Sequence, residues 1–135
     1  MTFEEYQTVE SGAARLCLRV QAAEGDPRGV VMISHGLAEH SLRYAAFARF
    51  LAARGYHVYA HDHRGHGLTT APDAPLGRFA KSGGAGAVIG DIHLIKDLVR
   101  TRHPDLPILL FGHSMGGLIA INAAARDPAP FAGLT

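Results

Sequence analysis

The chain has 135 residues, 47% hydrophobic and 19% charged, which is enough apolar material for one domain with a core and too little length for two. Thirteen Lys and Arg against twelve Asp and Glu leave a formal charge of +1, so there is no electrostatic footprint for nucleic acid. One cysteine, Cys17, excludes a disulfide framework and a cysteine-based zinc site.

Residues 1–10 carry Glu4, Glu5 and Glu10 and no apolar run, so neither a signal peptide nor a transit peptide is expected. Tyr6–Val9 and Arg15–Ala22 read as two strands around the Ser11-Gly12 turn pair. In the second, Leu16, Leu18 and Val20 alternate with Cys17 and Arg19, which predicts one buried face. Glu24–Gly29 reads as a loop, and Val30–Ile33 as a short strand covered on both faces. Tyr44–Arg54 has helical spacing of Tyr44, Phe47, Phe50 and Leu51, with Gly55 placed as a C-cap. Tyr56–Ala60 is a second covered strand, and His61–Ser82 a long loop. A helix is predicted from about Gly86 to Arg102, with Val88, Ile92, Ile95 and Val99 on one face and His103-Pro104 ending it. Pro107–Phe111 is a third covered strand, Gly112–Gly117 a sharp turn, and Leu118–Arg126 an Ala-rich helix stopped by Asp127-Pro128-Ala129-Pro130. Phe131–Thr135 starts another strand.

This alternation predicts an α/β fold: a mostly parallel sheet with crossover helices and an antiparallel N-terminal hairpin. One domain over residues 1–135 is expected, cut inside an element. No stretch reaches the roughly 18 apolar residues of a membrane-spanning helix, so a cytoplasmic, soluble chain without a transmembrane segment is expected.

Three segments carry chemistry. Gly112-His113-Ser114-Met115-Gly116 is a G-x-S-x-G between a buried strand and a helix. A turn that tight holds the serine at a strained angle with its hydroxyl projecting, and side chains two residues to either side would collide. Gly117 would let the helix approach the sheet. The helix N-terminus aims free N–H groups at the site, the Met115 N–H among them. His35-Gly36-Leu37 directly follows a covered strand, where loops line the ligand crevice of a doubly wound sheet, and can aim the Leu37 N–H at the same point. The third segment is His61-Asp62-His63-Arg64-Gly65-His66-Gly67. Its three histidines approach the H-x-H-x-D-H metal-ligand run of metallo-β-lactamase-like hydrolases, but Gly65 stands where that run has its Asp. A rigid turn fits the residues better than a metal site. Glu39-His40-Ser41 reads as the cap of a helix beginning near Leu42. His57, His93 and His103 have no partner pattern and read as structural. His113 is a poor base, because neighbouring side chains at such a turn diverge.

Taken together, HGLAEHSLRY at 35–44, AHDHRGHGLT at 60–69 and LLFGHSMGG at 109–117 resemble the α/β-hydrolase superfamily. They are similar to its monoacylglycerol lipase and lysophospholipase branch, the serine aminopeptidase S33 type. The resemblance implies Ser114 as nucleophile and the N–H groups of Leu37 and Met115 as oxyanion hole, in a loop and elbow built from His35, Gly36, Gly112, His113, Gly116 and Gly117. It implies a lipid-like ester substrate processed through an acyl-serine, with no cofactor and no metal. Leu42 and Thr69 depart from the Gly and Ser frequent in relatives, away from the chemistry.

That fold orders its triad Ser, Asp or Glu, then His. After Ser114 this chain has Asp127 as its only acidic side chain and no histidine. At about 1.5 Å rise per helical residue, Asp127 lies some 20 Å from the hydroxyl. The expectation is therefore the nucleophile and oxyanion half of a serine esterase, with the acid, base, last strands and lid in a missing C-terminal half or a complementing chain. The outer edge of the Pro107–Phe111 strand is then expected to be unpaired. Two alternatives stand beside this: an inactive truncated scaffold that binds a partner, and a metallohydrolase using His61, His63 and His66.

Overall fold

The structure is a computed structural model that describes residues 2–74, 76–80 and 83–135. In chain order it contains β1 (Glu5–Ser11), β2 (Ala14–Gln21), β3 (Gly29–Ser34), a 3-10 turn (Ser41–Tyr44), α1 (Ala45–Ala52), β4 (Tyr56–His61), α2 (Gly84–Arg102), β5 (Ile108–Gly112), α3 (Met115–Arg126) and β6 (Phe131–Leu134).

The strands form one sheet in the order β1-β2-β4-β3-β5-β6. The β1–β2 hairpin is antiparallel and joins the sheet through an antiparallel β2–β4 pairing. β4, β3, β5 and β6 run parallel. Parallel neighbours need crossover connections, and α1, α2 and α3 supply them. β3 shows how the faces are divided. Val30 and Met32 pack with Ile92, Ile95, Ile119 and Ala123 of α2 and α3, whereas Val31 and Ile33 pack with Ala45 and Ala48 of α1. A strand covered on both sides reads as a near-continuous apolar run, and all six residues of β3 are buried, with the polar Ser34 at its end bonded to His63.

The chain leaves β3 in one direction, toward β4, and later returns past it to β5. This reversal leaves a crevice beyond the carboxyl ends of β3 and β5, where loops of doubly wound sheets place ligands. The register sets Ser34 opposite Gly112. The loop beginning at His35 and the turn beginning at His113 therefore meet at that crevice.

Several expectations need correction. β2 is buried on both faces, with Cys17 at 1% and Arg19 at 7% exposure, because it lies between β1 and β4 and the loop after β4 folds over it. The strand at 107–111 has no open edge. β6 pairs its outer side, and the Gly112 N–H and Leu110 carbonyl bond to Thr135, so the unpaired edge belongs to β6. The helix predicted over Tyr44–Arg54 is a 3-10 turn followed by a helix that stops at Ala52. α3 starts at Met115 rather than Leu118, since one strained residue accomplishes the turn. α2 starts at Gly84, two residues before the expected position. The loop predicted over His61–Ser82 loses His61 to β4 and contains a bridge between Thr70 and Arg15; Ser82 lies outside the described residues. No helix among the described residues is long and apolar enough to cross a membrane.

Candidate active site

Only His113 and Ser114 separate β5 from α3. Ser114 has φ 54 and ψ −121, a conformation that costs a side-chain-bearing residue about 1–3 kcal/mol unless its surroundings enforce it. Backbone bonds enforce it here. The His113 N–H donates to the Ser34 carbonyl (3.1 Å), the Gly116 N–H to His113, and the Gly117 and Leu118 N–H groups to Ser114. Space enforces it too. A Cβ on Gly116 would lie 2.0 Å from the Ser34 carbonyl oxygen, and one on Gly112 would lie 2.5 Å from Gly117 Cα. A Cβ on Gly117 would only reach ordinary contact at 3.4 Å, so the close approach depends on Gly112 and Gly116. Ser114 is left exposed at the apex. The His113 ring turns from it toward Glu39 (Nδ1 to Oε2, 3.2 Å).

The facing loop is held from below. His35 is fully buried; its Nδ1 lies 2.7 Å from the Gly36 carbonyl oxygen, and its Nε2 accepts the His63 N–H at 2.9 Å. Glu39 Oε2 accepts the Gly36 N–H (2.5 Å) and the Tyr44 hydroxyl (2.8 Å). Burial pushes the Glu39 carboxyl up, but the bonds from Tyr44, Gly36 and His113 outweigh it, and the group titrates below its ordinary value. Ala38 takes φ 56, so the turn is tight and strained. Among the described residues, neither the Leu37 nor the Met115 N–H donates to a protein acceptor. Both are therefore free to receive an anion or a polarised carbonyl.

Glu39-His40-Ser41 is not a cap. The residue at the cap position, His40, makes no capping bond. Glu39 instead ties Gly36 to the elbow, and the Ser41 hydroxyl donates to Asp62 at 2.7 Å.

The third motif is a brace. Asp62 is fully buried and accepts from the Ser41 N–H, the Leu68 N–H and the Arg19 guanidinium. The rings pack in tilted and edge-on contacts, His63 against His61, His35 and Phe79 and His66 against His35 and Phe79, with centroids 4.5–6.3 Å apart. His63 Nε2 pairs with Ser34 Oγ, and His66 Nδ1 donates to the Arg64 carbonyl. Among the described residues, no three His, Cys, Asp or Glu side chains are gathered to hold a metal ion.

Sequence reasoning missed Arg19 and Glu39. An arginine in the middle of an apolar strand, with an aspartate just after another strand, was a usable signal for the first. Glu39 three residues after Gly36 looked like a cap, and nothing local distinguished the two uses. An apolar cleft of about 500 Å³ opens beside the loop, lined by Leu37, Ala38, Glu39, Gly65, His66 and Leu76 among others. Ser114 lies outside its lining. Asp127 follows α3 at the end away from Ser114.

The pattern of the family described as serine aminopeptidase, S33, matches residues 25–135. Human monoglyceride lipase is 37% identical over 93% of this chain and 40% of its own length. Monoacylglycerol lipase of Mycolicibacterium smegmatis is 35% identical over 98% of this chain and 45% of its own. The chain thus spans less than half the length of these relatives. The solved structure of a thermostable carboxyl esterase from Bacillus coagulans superposes with a TM-score of 0.88 at 33% identity, covering 99% of this chain and 43% of the esterase. Six strands with flanking helices therefore make up a partial α/β-hydrolase fold, and the chain belongs to the serine aminopeptidase S33 family.

Proposed function

We propose that the chain carries the nucleophile and oxyanion-binding part of a serine hydrolase of carboxylic esters, of the monoacylglycerol or lysophospholipid type. The observation that carries this reading is Ser114, held exposed at φ 54 directly before the undirected Met115 N–H, on an elbow whose His113 meets Gly36 of the loop that carries the undirected Leu37 N–H.

Ser114 Oγ attacks the ester carbonyl carbon. The oxygen becomes an oxyanion received by the N–H groups of Leu37 and Met115. The alcohol leaves with a proton, and water then releases the acid from the acyl-serine. A serine hydroxyl needs a base, and a His is absent after Ser114. In this reading the base and its carboxylate come from polypeptide beyond these residues, and the 135 residues alone do not hydrolyse esters. The lipid-like substrate is supported by the names of the relatives and by the apolar lining beside Leu37.

A fluorophosphonate probe tests this. The chain alone should remain unlabelled. The chain fused ahead of the unmatched part of the Mycolicibacterium smegmatis lipase should be labelled at Ser114, and Ser114→Ala should abolish the adduct. A folded fusion that never labels Ser114 would overturn the reading in favour of a binding scaffold.

A further inference from the structure

The buried imidazoles beneath the Leu37 loop have no part in the chemistry proposed above. The ring of His35 is engaged at both nitrogens, 2.7 Å from the Gly36 carbonyl oxygen through Nδ1 and 2.9 Å from the His63 amide nitrogen through Nε2. The His63 amide can only donate, so Nε2 carries a lone pair. A neutral ring with a bare Nε2 has its proton on Nδ1, where it donates to Gly36. Both contacts thus require one tautomer and no charge. An added proton has only Nε2 to occupy, where it would face the His63 N–H donor to donor.

The surroundings oppose that proton. From the loop after β4, His63 and His66 face the ring at centroid distances of 4.5 and 5.3 Å, with His61 behind His63. Asp62 is the nearby anion, already engaged by Arg19, Ser41 and Leu68. On its own loop stand the Gly36 carbonyl and, beyond it, Glu39 with His113. α3 presents backbone, at Gly116. Burial lowers His35 to about 4, and the fields of His61 and His66 add to this against the Gly36 carbonyl and Asp62.

We propose that His35 is a positioning residue: as the neutral Nδ1–H tautomer it clamps the Gly36-Leu37 turn to the loop after β4, and a proton on Nε2 releases that turn while the sheet stays formed. Its functional meaning rests on the reading of the Leu37 N–H as an oxyanion donor; the clamp itself does not. Acid would then disable the site before it unfolds the chain.

The test uses the intact chain with ¹⁵N-labelled histidine and backbone amides, followed by NMR from pH 8 to pH 4. At pH 7 the His35 ring should be protonated on Nδ1 and bare on Nε2. It should titrate near pH 4, against 6.5 for an unperturbed ring. The Gly36 and Leu37 amides should move with that same midpoint while Val31 and Leu110 do not. An Nε2–H tautomer, a charged ring at pH 7, turn amides indifferent to the ring, or loss of all signals at that midpoint would each overturn the proposal. His35→Gln offers Oε1 to the His63 N–H and cannot take a proton, so the acid response at Leu37 should vanish; its persistence would also overturn the proposal. Should H35Q fail to fold, the tautomer in the unaltered chain decides. A Ser114 that never reacts with fluorophosphonate would leave these spectra unchanged, so the clamp and the hydrolase reading fail separately.

Discussion

Replacing Asp62 by Asn preserves the shape and removes the charge on which three segments converge. The carboxylate is fully buried. It accepts the Ser41 N–H and O–H at 2.7 Å each, the Leu68 N–H at 2.9 Å, and Arg19 at 3.2 and 3.3 Å. In Asp62→Asn, Arg19 remains 7% exposed with no anion beside it, and an amide NH₂ points at donors. Breaking one side of a buried ion pair costs about 3–5 kcal/mol. With a urea slope of about 1–3 kcal/mol/M for small proteins, the midpoint should fall by more than about 1 M. The chain lacks Trp, so far-UV circular dichroism is the suitable probe. The double variant Arg19→Met/Asp62→Asn buries no unpaired charge and should lose less than Asp62→Asn alone. A loss under about 1 kcal/mol, or a double variant equal to the sum of the singles, would refute the reasoning.

Three further outcomes follow from the same geometry. Gly116→Ala pushes a methyl carbon to 2.0 Å from the Ser34 carbonyl oxygen, which must move β3 away from α3; a loss of about 1–3 kcal/mol or more is expected in urea melts, and an unchanged midpoint would contradict the elbow packing. Stability should fall between pH 6.5 and 4, because the unfolded chain takes up a proton at His35 near 6.5 while the folded chain resists until about 4. The stabilisation is complete above 6.5, and His35 alone accounts for about 3 kcal/mol across that window. His61 and His63 shift in the same direction through burial; urea midpoints that stay flat from pH 7 to 5 would refute this. Cys17 is pushed up to about 12 by burial and then by the field of Asp62. It should resist a disulfide reagent at pH 8 until the chain unfolds, and rapid reaction of the folded chain would contradict its burial.

The elements visible in the sequence were those governed by local rules. Val30–Ile33 and Pro107–Phe111 are apolar runs between turn residues, and both contain strands; the first is buried throughout, whereas the second runs from Ile108 to Gly112 and buries only Ile108 and Leu110 fully. The G-x-S-x-G pattern located the elbow, because a strand-to-helix turn through Ser114 tolerates no Cβ at Gly112 or Gly116. Features set by distant partners were not visible. Arg19 alternates with Leu18 and Val20 like a solvent-facing residue, yet it is buried because Asp62, 43 positions away, neutralises it. Glu39 has the spacing of a helix cap, and only the approach of His113, 74 positions on, reveals its use at the elbow. The same holds for β6, whose short run pairs with β5 once α3 has brought it back. Periodicity reports which face is apolar; it does not report what lies across it.

The most direct measurement is hydrolysis of a monoacylglycerol by the fusion of this chain to the remaining part of the Mycolicibacterium smegmatis lipase, with and without Ser114→Ala. Turnover by the fusion is expected, none by the 135 residues alone, and a fall of at least about a thousandfold on removing the hydroxyl. Turnover that survives Ser114→Ala, or that the 135 residues sustain by themselves, would contradict this reading.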